Sequence, residues 1–339
     1  MQTTKPVRLI DVAQATNTSI KTVSRVLNGH PRVSDETRTR VQEKMNELGY
    51  QVDLVARSLR TGVDNVIGVV VPKIGDPFFA ELVEEIEEEA NRRGIGVIVG
   101  STHGELDREM ELVQGFKQRR VAGMLITPQD ADYSFTKNSN TPIIFLDRAP
   151  RNFKAEVIRV DDKHGAELAT NHLIKHGHTK IAFIGDKLRI KTSKLRFDGY
   201  KASMAAAGIP INDDYIINSA ENATLAEPAF EQLMALKNPP TAIFCSKAEI
   251  SIGVVRAMHR LKKTDIAFFS FDDFTMADSL QPAITILDHS PRNIGRAAIK
   301  RLLERMDGGE ARTTEIDIPL SIIERGSGEI KAPSGKARA

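Results

Sequence analysis

Two groups of residues in this sequence have the types and spacing to do chemistry. The first is the run Ser19, Ile20, Lys21, Thr22, Ser24, Arg25 and Asn28, which falls on one side of a short helical pattern with Val23, Val26 and Leu27 on the other. Lys and Arg donate hydrogen bonds, while Ser, Thr and Asn both donate and accept. On an α-helix, which fits the DNA major groove, such a face can reach phosphates and base edges. It would serve equally well as an ordinary solvated helix face. The second group is scattered through the chain: Asp76, Phe78 and Phe79, Asp147 and Arg148, Arg196, Lys247, Asp272 with Asp273, and His289. Aromatic rings can lie against the apolar face of a sugar, and carboxylates and arginines can bond vicinal hydroxyls in fork geometry. Taken singly, the phenylalanines read as core and the Asp-Arg pair as a surface ion pair worth little.

The elements that must position these residues follow from periodicity. Residues 9–28 read as two short helices, with Ile10, Val12 and Ala13 on one buried face and Val23, Val26 and Leu27 on the other. Thr16-Asn17-Thr18 makes the turn, where Asn tolerates a left-handed backbone, and Ser19 is suited to cap the second helix. A third helix begins at Ser34, with Asp35 and Glu36 in its first turn, buries Val41, Met45 and Leu48, and closes at Gly49. From Asn65 the texture changes. VIGVVV, GVIVG, GMLIT and PIIFLD alternate with helical patterns over 79–93 and 105–119. A second series follows, with KIAFIGD, a helix over 196–207, TAIFC, a helix over 249–261, IAFFSFDD and AITILD. Repeated strand-helix units predict parallel sheets covered on both faces, here in two lobes. Ligands of such sheets bind beyond the carboxyl ends of the strands, where the second group of residues lies.

The pattern VAxxxxxSxxTVSRVLNG, continued by PRVSDETRTRVQEKMNELGY and VARSLRTG, resembles the DNA-binding headpiece of the LacI/GalR family of bacterial transcriptional regulators. Thr16-Asn17-Thr18 stands where the family usually has Ala-Gly-Val. The resemblance implies a helix-turn-helix headpiece over 1–50, a hinge over 51–63 and a two-lobed periplasmic-binding-protein-like α/β core over 64–325. It places 64–160 and 292–325 in the first lobe and 161–291 in the second, with the helix over 291–306 and a strand near 316–323 returning to the first. The polar tail 326–339 is expected to be disordered and lacks the leucine heptads of a tetramer coil. In the family the hinge becomes helical on operator DNA and a leucine wedges into the minor groove. Here Leu59 is that candidate, with Ala56 at the groove and Arg57 near the backbone. Asp53 replaces the usual Asn and is read as an N-cap. The effector cleft implied by the resemblance holds Asp76, Phe78, Phe79, Asp147, Arg148, Arg196, Lys247, Asp272 and His289. Relatives that bind neutral sugars commonly carry Asn at 76 and 247 and Gln at 289. Lys247 and His289 therefore suit a phosphate or carboxylate, unless Asp76 neutralises Lys247 and returns the cleft to neutral sugars. The mechanism implied is allosteric: a homodimer reads a near-palindromic operator, and a sugar or sugar phosphate alters the angle between lobes.

Composition bounds these readings. The chain has 339 residues, enough for two or three domains of about 100–200 residues each. Its net charge is +2, but residues 1–60 hold ten bases against six acids, which concentrates positive charge at the N-terminus. The single cysteine, Cys245, lies in an apolar run and fits a reducing compartment. Neither an apolar run of about 18 residues nor a secretory leader is seen, so a cytoplasmic protein is expected. His172 and His176, spaced i, i+4 with His178 beyond, could suggest a metal, but Gly177 ends the helix and no Cys or carboxylate completes the set. Gly94-Ile95-Gly96 precedes a strand where a dinucleotide loop would follow one, and GxSxG, Walker and HExxH motifs are missing, so no cofactor or enzyme chemistry is called for. The acidic run over 84–89 reads as a solvated helix face above Leu82 and Ile86. A sugar carrier or an enzyme on the same two-lobed fold remains the alternative.

Overall fold

A computed structural model describes residues 7–27, 30–50, 65–129, 131–136 and 141–333. The chain divides into two compact units, residues 1–64 and 65–339. In the first, α1 (Leu9–Ala15), α2 (Ile20–Leu27) and α3 (Asp35–Leu48) enclose Val12, Ala13, Val23, Val26, Val41 and Met45. Ile10, expected on the buried face, is instead 45% exposed, because seven residues of α1 turn only Val12 and Ala13 fully inward. Asn17 adopts φ 51° in the turn and Gly49 closes α3 at φ 64°, the two left-handed positions expected. The Ser34 hydroxyl accepts from Thr37 N at 3.4 Å and caps α3.

The second unit contains two six-stranded sheets. The first is ordered β11-β5-β4-β3-β1-β2, from β1 (Val66–Val71), β2 (Gly96–Ser101), β3 (Gly123–Ile126), β4 (Ile143–Leu146), β5 (Val157–Arg159) and β11 (Glu315–Asp317), all parallel. Helices α4 (Pro77–Arg92) and α5 (Leu106–Gln118) belong to this lobe. The second sheet is ordered β12-β10-β9-β8-β6-β7, from β6 (Ile181–Ile184), β7 (Ile216–Ile217), β8 (Ala242–Cys245), β9 (Ala267–Phe271), β10 (Thr285–Asp288) and β12 (Ser321–Ile323). Its helices are α6 (Asp162–Lys175), α7 (Lys191–Ala206), α8 (Ala223–Met234) and α9 (Ala248–Arg260). Each sheet is apolar on both faces, with Ile67, Val69 and Leu125 on one side of the first and Val70, Met124 and Phe145 on the other. That double burial is why the strands read as continuous apolar runs.

The chain passes between lobes three times. After β10 it returns to the first lobe as α10 (Pro291–Met306), which packs on α4. The strand expected near 316–323 does not return whole. β11 pairs with β5, and β12 pairs antiparallel with β10 of the second sheet. Pro319 between them has no N–H to offer a ladder and breaks the run in two. The tail also departs from expectation as far as Pro333. Ser327 O accepts from Phe268 N at 3.0 Å, and Ala332 N donates to His176 O at 3.1 Å. The segment is polar in composition but its backbone is claimed by the second lobe. In the acidic run of α4, Glu85 is buried rather than solvated and pairs with Arg296 of α10, while Leu82 and Ile86 lie in the core as expected.

Candidate functional site

On α2, Ser19 Oγ accepts from Thr22 N at 3.0 Å and caps the helix, and Thr16 Oγ1 donates to Val12 O at 2.8 Å to fix the turn before it. With Val23 and Val26 buried, Ser19, Ile20, Lys21 and Arg25 are exposed and Thr22 and Ser24 are half-buried along the outer side. Asn28, Ala56, Arg57 and Leu59 lie outside the described residues.

Between the lobes of the second unit is a cavity of about 390 Å³. The strand-end positions converge on it. After β1, Asp76 caps α4 by accepting from Phe78 N at 3.0 Å, and Phe78 and Phe79 pack edge to face at 4.8 Å. After β4, Asp147 accepts from Arg148 Nη1 at 3.1 Å, while Arg148 Nε donates to Pro128 O at 2.6 Å. After β8, Lys247 Nζ is held by Asp186 at 2.6 Å and by Glu221 O at 2.7 Å. After β9, Asp272 Oδ2 accepts from Ala248 N at 3.2 Å. Asp147 and Asp272 take φ 66° and 84°, left-handed conformations that a residue with a Cβ adopts at a cost. They occupy matching strand ends of the two lobes.

Arg196 enters from α7 and is buried in the cavity wall. Its Nε donates to Asp162 at 2.7 Å, its Nη1 to Ser246 O at 2.6 Å, and its guanidinium stacks 3.7 Å over the Phe271 ring. Burial pushes the Asp272 carboxyl up to about 8, against the pull of Arg196 3.9 Å away. Burial also raises Asp76, with Lys247 acting against it. His289 does not line the cavity as expected. It lies behind Phe78, stacked at 4.7 Å, with Nδ1 3.3 Å from Asp272 Oδ1, and burial together with Arg196 pushes its pKa well down. Two buried polar atoms at the cavity have no hydrogen-bond partner among the described residues: Gln129 Nε2 from the first lobe and Asp272 Oδ1 from the second.

Sequence reasoning missed Asp162, Asp186, Gln129, Glu221 and Glu249. Asp186 follows β6 and obeys the strand-end rule that found Lys247; the partners Asp162 and Glu249 sit in first turns of helices and carry no such signal. Lys73 of the first lobe pairs with Glu249 of the second across the cavity mouth. His172, His176 and His178 serve the second lobe. His172 lies 2.6 Å from Glu329 and 3.8 Å from Glu324, carboxylates brought to it only by folding, and His178 Nε2 lies 2.8 Å from Ile330 O. Glu329 is already engaged by Thr285 Oγ1 at 2.7 Å and Gly326 N at 2.6 Å, which makes the group a tether for the chain end.

Residues 8–53 match the bacterial regulatory proteins of the lacI family, and residues 64–325 match the periplasmic binding proteins and sugar binding domain of LacI family. The chain belongs to the lacI family of bacterial regulatory proteins. The regulator is 30% identical to the HTH-type transcriptional repressor PurR of Photobacterium profundum over 92% of its own length and 96% of that protein. It is 29% identical to the ribose operon repressor of Escherichia coli K12, covering 94% of its own chain and 98% of that one. Among solved structures, the lac repressor dimer bound to operator and the anti-inducer ONPF superposes with a TM-score of 0.85 at 25% identity, over 97% of this chain and all of that one. The regulator is thus a DNA-binding transcriptional regulator with a ligand-binding core, and not an enzyme. Among the described residues no helix is long and apolar enough to cross a membrane.

Proposed function

We propose that the regulator is a homodimeric repressor whose hold on a near-palindromic operator is set by a neutral, sugar-type polyol between its lobes. Charge pairing in the cavity carries this reading. Arg148 is held by Asp147, Arg196 by Asp162, Lys247 by Asp186 and Lys73 by Glu249. Only Arg189 at the exposed rim lacks a carboxylate partner among the described residues. A phosphate would compete with these carboxylates for cations they already hold. A polyol needs no net charge and can offer one hydroxyl to Gln129 Nε2, which costs about 1–3 kcal/mol while buried and unpaired, and another to Asp272 Oδ1, which makes no hydrogen bond although His289 Nδ1 lies 3.3 Å and Arg196 Nη1 3.9 Å away. Lys247 therefore does not argue for an anion, and its neutraliser is Asp186 rather than Asp76.

On the DNA side, Ser19, Ile20, Lys21, Thr22, Ser24, Arg25 and Asn28 face the major groove, with Leu59 and Ala56 at the minor groove and Arg57 near the backbone. The exposed, capped α2 supports this assignment. The ligand acts by its different affinity for two interlobe arrangements. The regulator works in the cytoplasm, which its one buried thiol, Cys245, suits.

Calorimetry of the full-length protein against pentoses, hexoses and their phosphates tests the ligand. At the interlobe cavity, read as the heat lost in Lys247→Ala, neutral sugars should bind at least about ten-fold more tightly than any phosphate; tighter binding of a phosphate there, or no binding throughout, overturns the reading. Arg25→Ala and Leu59→Ala should each weaken operator binding by about 1–3 kcal/mol with ligand heats unchanged. Undiminished operator affinity in both removes these roles.

A further inference from the structure

The first lobe has a second hollow, of about 610 Å³, away from the interlobe cavity. It lies where β4 begins at Ile143, where Phe153 and Lys154 lead into β5, and where α10 ends and Arg312 leads into β11. The interlobe ligand residues follow the opposite, carboxyl ends of these strands. Ile143 and Phe153 give the hollow an apolar side, and hydroxyls of Ser134 and Thr136 border it.

Its charge is the reverse of that between the lobes. Among the described residues Glu156 is the only carboxylate in the lining, and it is buried and already accepts from Arg301, from Arg305 Nη1 and from Arg312 N at 3.2 Å. Arg305 Nε is buried without a partner, and among the described residues neither the exposed Lys154 ammonium nor the exposed Arg312 guanidinium is paired with a carboxylate. In the interlobe cavity every lining Lys and Arg but Arg189 at the exposed rim is paired with a carboxylate; here, among the described residues, Lys154 and Arg312 are both without one.

We infer that this hollow is a second ligand site, for a small molecule that bears a phosphate group. A phosphate monoester carries about −1.5 to −2 charge at neutral pH, which matches two uncompensated cations. Guanidinium groups suit its oxygens, and the apolar side takes the organic part. The volume is within the ~300–1,000 Å³ of small-molecule sites. The assignment does not depend on the polyol reading, since among the described residues none lines both cavities.

The test is calorimetric titration of the full-length protein with phenyl phosphate, and with phenol as its uncharged counterpart, at constant ionic strength. Phenyl phosphate should bind saturably and phenol should not. The double variant Lys154→Ala, Arg312→Ala alters only exposed side chains, its fold being checked by circular dichroism, and should weaken phenyl phosphate at least ten-fold. Binding should persist in Lys247→Ala, which alters the interlobe cavity. No saturable heat, unchanged affinity in the double variant, or a loss that follows Lys247→Ala instead would each overturn the site.

Discussion

Asp272 shows how much one buried side chain decides. Its carboxyl is shielded from water, held by one backbone N–H and faced by Arg196, and burial wins, lifting its pKa from the ordinary 3.8 to about 8. A carboxyl raised in the folded state binds its proton more tightly there than in the unfolded chain. The stability this gives is fully present below the unfolded value and is lost as pH rises through the folded one. Asp272→Asn carries no such proton, so the variant should gain stability relative to the original chain between pH 5 and pH 8. Urea unfolding of both proteins at the two pH values checks this, and a constant difference would contradict it. Arg196 is the converse case. Removing it by Arg196→Ala takes from the buried Asp162 carboxyl the cation 2.7 Å away, and should cost about 3–5 kcal/mol of core stability by the same measurement.

At the scale of elements, close helix contacts hold the second lobe together. A Cβ at Gly253 of α9 would stand 2.2 Å from Ala223 O of α8, and one at Gly199 of α7 would stand 2.3 Å from Lys163 O of α6. Neither neighbour is a flexible side chain that can swing away. Gly253→Ala should therefore force the pair apart and cost about 1–3 kcal/mol, read as a lowered urea midpoint with an unchanged slope. In the headpiece the decisive feature is a cap. Ser19→Ala removes the acceptor for Thr22 N and should cost about 1 kcal/mol, seen as a lower melting temperature of the N-terminal helical signal.

For the whole molecule, what matters is how one lobe is tied to the other. Three chain crossings join the lobes, and the Lys73–Glu249 pair spans the cavity mouth between them. Lys73 is about half exposed, so the pair contributes only about 0–1 kcal/mol. Lys73→Ala should thus favour the open arrangement modestly, raising the radius of gyration measured by X-ray scattering without ligand. Added sugar ligand should reverse that change if both arrangements share one cavity.

Local chemistry alone determined much of this protein. The turn at Asn17, the caps at Ser19 and Ser34, the stop at Gly49 and the two series of apolar strands all depend on residues adjacent in sequence. For the same reason Asp76, Asp147, Lys247 and Asp272 were legible, since a strand end can be read from the run before it. Tertiary structure alone decided which charges meet. That Asp186 rather than Asp76 takes Lys247, that Arg196 rests on Asp162, that His289 hides behind Phe78, and that the polar tail is bound by His176 and Phe268 are pairings across 34 or more positions of chain or between neighbouring elements. Periodicity holds no record of such pairings, because it reports which face of an element is buried and not what that face will touch.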